Sequence, residues 1–142
     1  MPTQTTAHAE ELAAILQNWQ ALETATISHT TEVIARTKNP LIRLLMEIIR
    51  QDSEMHYRVE QVLLDGIERQ ALTLTPEELG EIWDMVETHA DMGKQTIKLA
   101  ERALSNCRLF AQRYLLTYLI EDERKHDRLL GQLEDRKHYI YP

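Results

Sequence analysis

The chain has 142 residues, 43% hydrophobic and 27% charged, with only four Gly and four Pro; that composition fits a single globular domain over residues 1–142 and excludes a disordered or collagen-like chain. Its 16 Lys and Arg against 23 Asp and Glu give a formal charge of -7, which argues against nucleic acid as a partner. No apolar run approaches the roughly 20 residues that span a bilayer and no basic, then apolar, leader opens the chain, so a non-membrane, unexported protein is expected, and the lone Cys107, with no second thiol to pair with, suits a reducing cytoplasm.

Abundant Leu, Ala, Glu, Arg and Gln predict helix almost throughout and no sheet. The first helix is predicted from about Ala7 to Lys38, with Leu12, Ile15, Leu16, Trp19, Leu22, Thr26, Val33 and Ile34 on its inward side. Asn39 then caps a second helix that opens on Pro40, carries Leu41, Leu45, Ile48, Ile49, Val59, Val62 and Leu63 inward, and ends between Gly66 and Ala71. "TPEE", from Thr75 to Glu78, reads as a capping box opening a third helix that runs to about Leu104. Ser105 and Asn106 make the last joint, and a fourth helix continues to about Lys137, before a "HYIYP" tail. Each helix is about 40 to 50 Å long at 1.5 Å per residue. The expected fold is all-α, an elongated four-helix bundle.

Displacing the sequence by 70 residues pairs Thr26 with Thr96, Ile27 with Ile97, Arg43 with Arg113, Leu45 with Leu115, Asp52 with Asp122, His56 with His126 and Arg58 with Arg128. Unrelated sequence would give roughly two or three identities over the same stretch, so a duplicated helical hairpin is expected. Because 70 is a whole number of heptads, paired residues face the same way. Glu123 and His126 form ExxH, a three-residue step that brings both side chains to one helix face, where they can hold one metal ion. They also interrupt a stripe of Leu116, Leu119, Leu130 and Leu133, where unpaired ionisable groups are costly to bury. The plainer alternative is that Asp122 with His126, and Asp52 with His56, neutralise one another as i, i+4 pairs, and that Glu23 is an interfacial acid paired with Arg43 or Arg113.

The fourth-helix segment "YLLTYLIEDERKHDRLLGQLE", with Glu123 and His126, resembles the ferritin-like superfamily in its rubrerythrin-like branch of small di-iron carboxylate bundles. Over nearly the whole chain, that resemblance implies two duplicated hairpins, with one Glu on each of the first and third helices and ExxH on each of the second and fourth. Carried over by position, it implies metal ligation by Glu23, His56, Glu123 and His126, while Ser53 and Gly93 stand where the family has carboxylates. Asp52 is a replacement for position 53, and Glu87, His89 or Asp91 for the third helix. Iron, as a di-iron or single divalent site, and a role in Fe(II) oxidation or in handling oxygen or peroxide are what the resemblance implies. The alternative is a metal-free bundle of the same type acting as a structural or interaction module; under either reading the expected oligomer is a homodimer.

Overall fold

The computed structural model describes the backbone of residues 4–140 and the side chains of residues 6–135. It contains four helices, α1 (Gln4–Arg36), α2 (Pro40–Glu68), α3 (Pro76–Ser105) and α4 (Phe110–Ile140), and no strand among the described residues. The all-α prediction holds, and the helix limits fall close to those expected. The fourth helix runs further than predicted, its backbone continuing through His138 to Ile140, whereas Tyr141 and Pro142 lie outside the described residues.

The chain divides into two compact units, Met1–Leu72 and Thr73–Pro142, each a pair of long helices in contact with one another. The joints follow from local chemistry. Asn39 is extended (φ -72°, ψ 118°) and its Oδ1 accepts from the amides of Leu41 at 2.9 Å and Ile42 at 3.1 Å, satisfying two of the amides that a helix start leaves without partners. Pro40 follows at the first helical position, where no amide hydrogen is required. At Thr75 the capping box is complete: the Glu78 amide donates to Thr75 Oγ1 and the Thr75 amide donates to Glu78 Oε1, both at 3.2 Å.

The two hairpins share an unforeseen clasp. Arg43, in the first turn of α2, donates through Nη1 to the carbonyls of Ile34 at 2.7 Å and Thr37 at 3.3 Å, closing the C-terminal end of α1. Arg113, in the first turn of α4, donates through Nη1 to the carbonyls of Leu104 at 3.0 Å and Cys107 at 2.9 Å, closing the end of α3. Donor and acceptors all correspond under the 70-residue displacement. The cation stands where a helix terminus concentrates partial negative charge and leaves carbonyls without intrahelical donors. Arg43 and Arg113 are thus engaged at helix ends, and the pairing of either with Glu23 considered from sequence gives way to this role.

In the first hairpin, the covered seam of α1 steps by four and three through Leu16, Gln20, Glu23, Ile27 and Thr30, opposite Ser53, Glu60 and Leu64 of α2. In the second, α3 presents Leu79, Trp83, Val86, Ala90, Gly93 and Ile97 to a seam of α4 that includes Leu116, Ile120, Glu123, Asp127 and Leu130. Both follow a 3.5-residue repeat, the spacing at which one helix keeps a single edge against another.

Several residues expected inward instead form a second, uncovered stripe. Leu12, Ile15, Trp19 and Leu22 on α1, and Val59, Val62 and Leu63 on α2, are all exposed, Leu22 to 68%. The physical reason is that two helices have one seam between them, too narrow to cover the full apolar side that each presents.

Candidate metal-binding residues

The middle of the first seam is polar. Gln20, Glu23, Thr30, Ser53 and Glu60 are the buried polar residues among those described, and all lie on this hairpin. Gln20 Nε2 donates to the Tyr57 carbonyl at 3.3 Å and to Gln61 Oε1 at 3.1 Å, and Gln61 Nε2 donates in turn to Asp65 Oδ1 at 3.0 Å. Thr30 Oγ1 donates to the carbonyls of Thr26 and Ile27 one turn back. These side chains are satisfied, as buried polar groups ordinarily are.

The acids are not. Glu23 is 8% exposed and Glu60 3%, and Glu23 Oε2 and Glu60 Oε1 are each fully covered without a hydrogen-bond partner. His56 lies beside them, its Nδ1 3.3 Å from Glu23 Oε2; that is close enough for an ion pair, but not in hydrogen-bond alignment. The ring itself is largely in solvent, with 58% of its side-chain surface exposed. Desolvation raises the pKa of Glu60 above its ordinary 4.5, the negative charge of Glu23 raises it further, and the nearby His56 works in the opposite direction.

On α2, Ser53 occupies the covered seam, whereas Asp52 and Glu54 are exposed. His56 turns Nδ1 toward Glu23 on α1. Glu60 was not singled out by its sequence position. The signal for it lies four residues after His56 and seven after Ser53, on the face and in the heptad row that the absent carboxylate would occupy.

On the second hairpin, His126 sits between two acids of its own helix, with Nε2 3.6 Å from Asp122 Oδ2 and Nδ1 3.8 Å from Glu123 Oε2. The i, i+4 pairing of Asp122 with His126 is thus present at ion-pair range, and Asp122 is also 2.8 Å from Lys125 Nζ. Glu123 and His126 border an open groove of about 650 Å³ whose walls include Met85, His89, Met92, Gly93 and Leu129. His89 faces this groove, while Glu87 accepts at 2.7 Å from Trp83 Nε1 and Asp91 is exposed. A Cβ on Gly93 would meet nothing within 4 Å, so the backbone does not demand glycine there.

Carboxylate oxygens and imidazole nitrogens are the donors that bind Fe(II), Mn(II), Co(II) and Zn(II). Two oxygens stripped of water and left without a proton donor are the kind of group a cation satisfies. Among the described residues, no three His, Cys, Asp or Glu side chains are already arranged to hold an ion. The donors suit a divalent cation in kind, but a ready-made ligand cage is not among them. Compared with protein-family models, with curated proteins and with solved structures, the chain finds no match in any of the three.

Proposed function

We propose that this is a metal-binding helical protein of ferritin-like type, in which Glu23 and His56 within the first hairpin, and Glu123 and His126 within the second, are ligands for divalent cations. The observation that carries the reading is Glu23: a buried carboxylate whose Oε2 has no hydrogen-bond partner and lies 3.3 Å from an imidazole nitrogen. The matching clasps of Arg43 and Arg113 support the duplicated-hairpin origin that the ferritin-like resemblance implies. Iron is the metal that resemblance implies, and when bound it would supply the redox chemistry for Fe(II) oxidation or for handling oxygen or peroxide. The chain's own residues bind and orient the ion. Asp52, as an exposed residue next to the seam, is the weakest member of the ligand set inferred from sequence.

The test is anaerobic incubation of the full chain with Fe(II), removal of free metal, and elemental analysis. Binding near one ion per chain supports the reading, and less than about a tenth of an ion overturns it. Gly93→Glu with Ser53→Glu restores the family's two missing acids and is expected to raise the metal content of the chain.

A second reading has its own observation. The outer stripe of Leu12, Ile15, Trp19 and Leu22 is an apolar surface of the kind that proteins use for association. A metal-free module that acts through such a face predicts that Glu123→Ala leaves thermal stability unchanged with or without added metal.

A further inference from the structure

The structure points to Glu60 as a metal ligand that substitutes, one heptad further along α2, for the carboxylate that Ser53 lacks, so that Glu23, His56 and Glu60 form a single-ion site within the first hairpin. This rests on the metal-binding reading above and names a ligand that the family pattern does not contain.

Three observations carry it. The first is the pair of covered and unpartnered oxygens, Glu23 Oε2 and Glu60 Oε1, on side chains more than nine-tenths buried. A structural acid in that position ordinarily recruits an amide, a hydroxyl or an arginine, as Gln20 and Thr30 recruit partners in the same seam. The second is the separation of His56 Nδ1 from Glu23 Oε2, 3.3 Å without hydrogen-bond alignment. Two donors each about 2.0–2.2 Å from one ion lie roughly 3.0–3.5 Å apart, so the pair is spaced like one edge of a coordination polyhedron. The third is register: His56 and Glu60 are four residues apart on one helix, which brings both side chains to the same face.

Charge decides the class of ligand. Two carboxylates and a neutral imidazole compensate a divalent cation with none left over, and a mixed oxygen and nitrogen set selects Fe(II), Mn(II), Co(II) or Zn(II) over Ca(II) or Mg(II). Glu23, His56 and Glu60 would hold the ion, and the exposure of the His56 ring would leave the site open to solvent.

Co(II) is the probe, because its visible absorption reports the ligands directly. The full chain, stripped with chelator, is titrated with Co(II) under argon, and the affinity, stoichiometry and spectrum are compared for wild type, Glu60→Gln, Glu23→Gln and Glu54→Gln, with circular dichroism confirming that each is helical. The inference expects Glu60→Gln to weaken one Co(II) by at least about tenfold, the lower bound even for loss of a residue that merely supports a ligand, and to alter its spectrum. Glu23→Gln should do the same, and Glu54→Gln, at an exposed position on the same helix as Glu60, should leave that ion unchanged. If Glu60→Gln keeps wild-type affinity and spectrum while Glu23→Gln loses them, the role of Glu60 is refuted and the metal-binding reading stands. If wild type takes up no Co(II) at all, both fall together.

Discussion

Removing the arginine clasps tests whether the two hairpins are built on one plan. Arg43→Ala deletes two charge-assisted bonds, to Ile34 and Thr37, and Arg113→Ala deletes the equivalent two, to Leu104 and Cys107. Hydrogen bonds to charged groups contribute about 1.5–3 kcal/mol where they are sheltered. All four of these are exposed, so water replaces much of each, and a cation at a helix C-terminus contributes about 0.3–1 kcal/mol in such a setting. The expected loss is about 1 kcal/mol for each arginine. The clasps share no residue, so the double variant is expected to lose about 2 kcal/mol by simple addition. Urea unfolding followed by helical ellipticity reads this as a midpoint shift of roughly 0.3–1 M per substitution. Both bonds of each clasp come from the single nitrogen Nη1; lysine keeps the charge but ends in a more strongly hydrated ammonium, so Arg43→Lys and Arg113→Lys should fall between alanine and wild type. The reasoning is refuted if one alanine variant unfolds with the wild type while the other loses 1 kcal/mol or more, since the same geometry would then have unequal consequences.

Thr75→Ala removes one half of a complete capping box and should destabilise the second hairpin by about 1 kcal/mol, visible as a lower urea midpoint; Thr75→Ser, which keeps the hydroxyl, should be close to neutral. Glu60 makes a pH prediction whose sign follows from its raised pKa: the folded chain holds that proton more tightly than the unfolded chain does, so the stabilisation is complete below the ordinary value of 4.5 and is lost as pH rises through the raised one. In chelator, the melting temperature of Glu60→Gln minus that of wild type should therefore grow more positive with pH across that window and then level off. A difference that shrinks instead would mean that the carboxylate, not the acid, is the form this seam favours.

The helix frame was legible because its punctuation is local. Asn39 with Pro40, and Thr75 with Pro76 and Glu78, satisfy helix-start amides from residues next to them in sequence, and the structure uses them as read. The identity of the covered face was less legible. Each long helix carries apolar residues on more than one row, and counting steps of three and four from Leu12 or Val59 follows a row as regular as the one that the seam selects. What distinguishes the rows is the partner helix, which is not a local property. The seam of α1 runs through Gln20 and Glu23, and that of α2 through Ser53 and Glu60, residues that a search for apolar stripes assigns to solvent. Glu60 escaped for that reason, and because a family pattern directs attention to the position three before a histidine, not four after it.

The 70-residue displacement also locates where the two hairpins differ. Where the first hairpin has Glu23, His56 and Glu60, the corresponding positions of the second are Gly93, His126 and Leu130; where the second has Glu123, the first has Ser53. The histidine is common to both, and the acids of α2 and α4 occupy the same heptad position one heptad apart. A carboxylate buried at 60 without one at 53 leaves the first hairpin with two covered acids near a histidine, and the second with Glu123 and Asp127 of α4 bordering an open groove. Two buried carboxylates oppose folding unless a proton or a cation neutralises them. Leucine at position 60, the residue its counterpart Leu130 already carries, would relieve that opposition within the same helical frame. Metal uptake by the Glu60 variants, more than their stability, therefore discriminates between neutralisation by a cation and neutralisation by a proton.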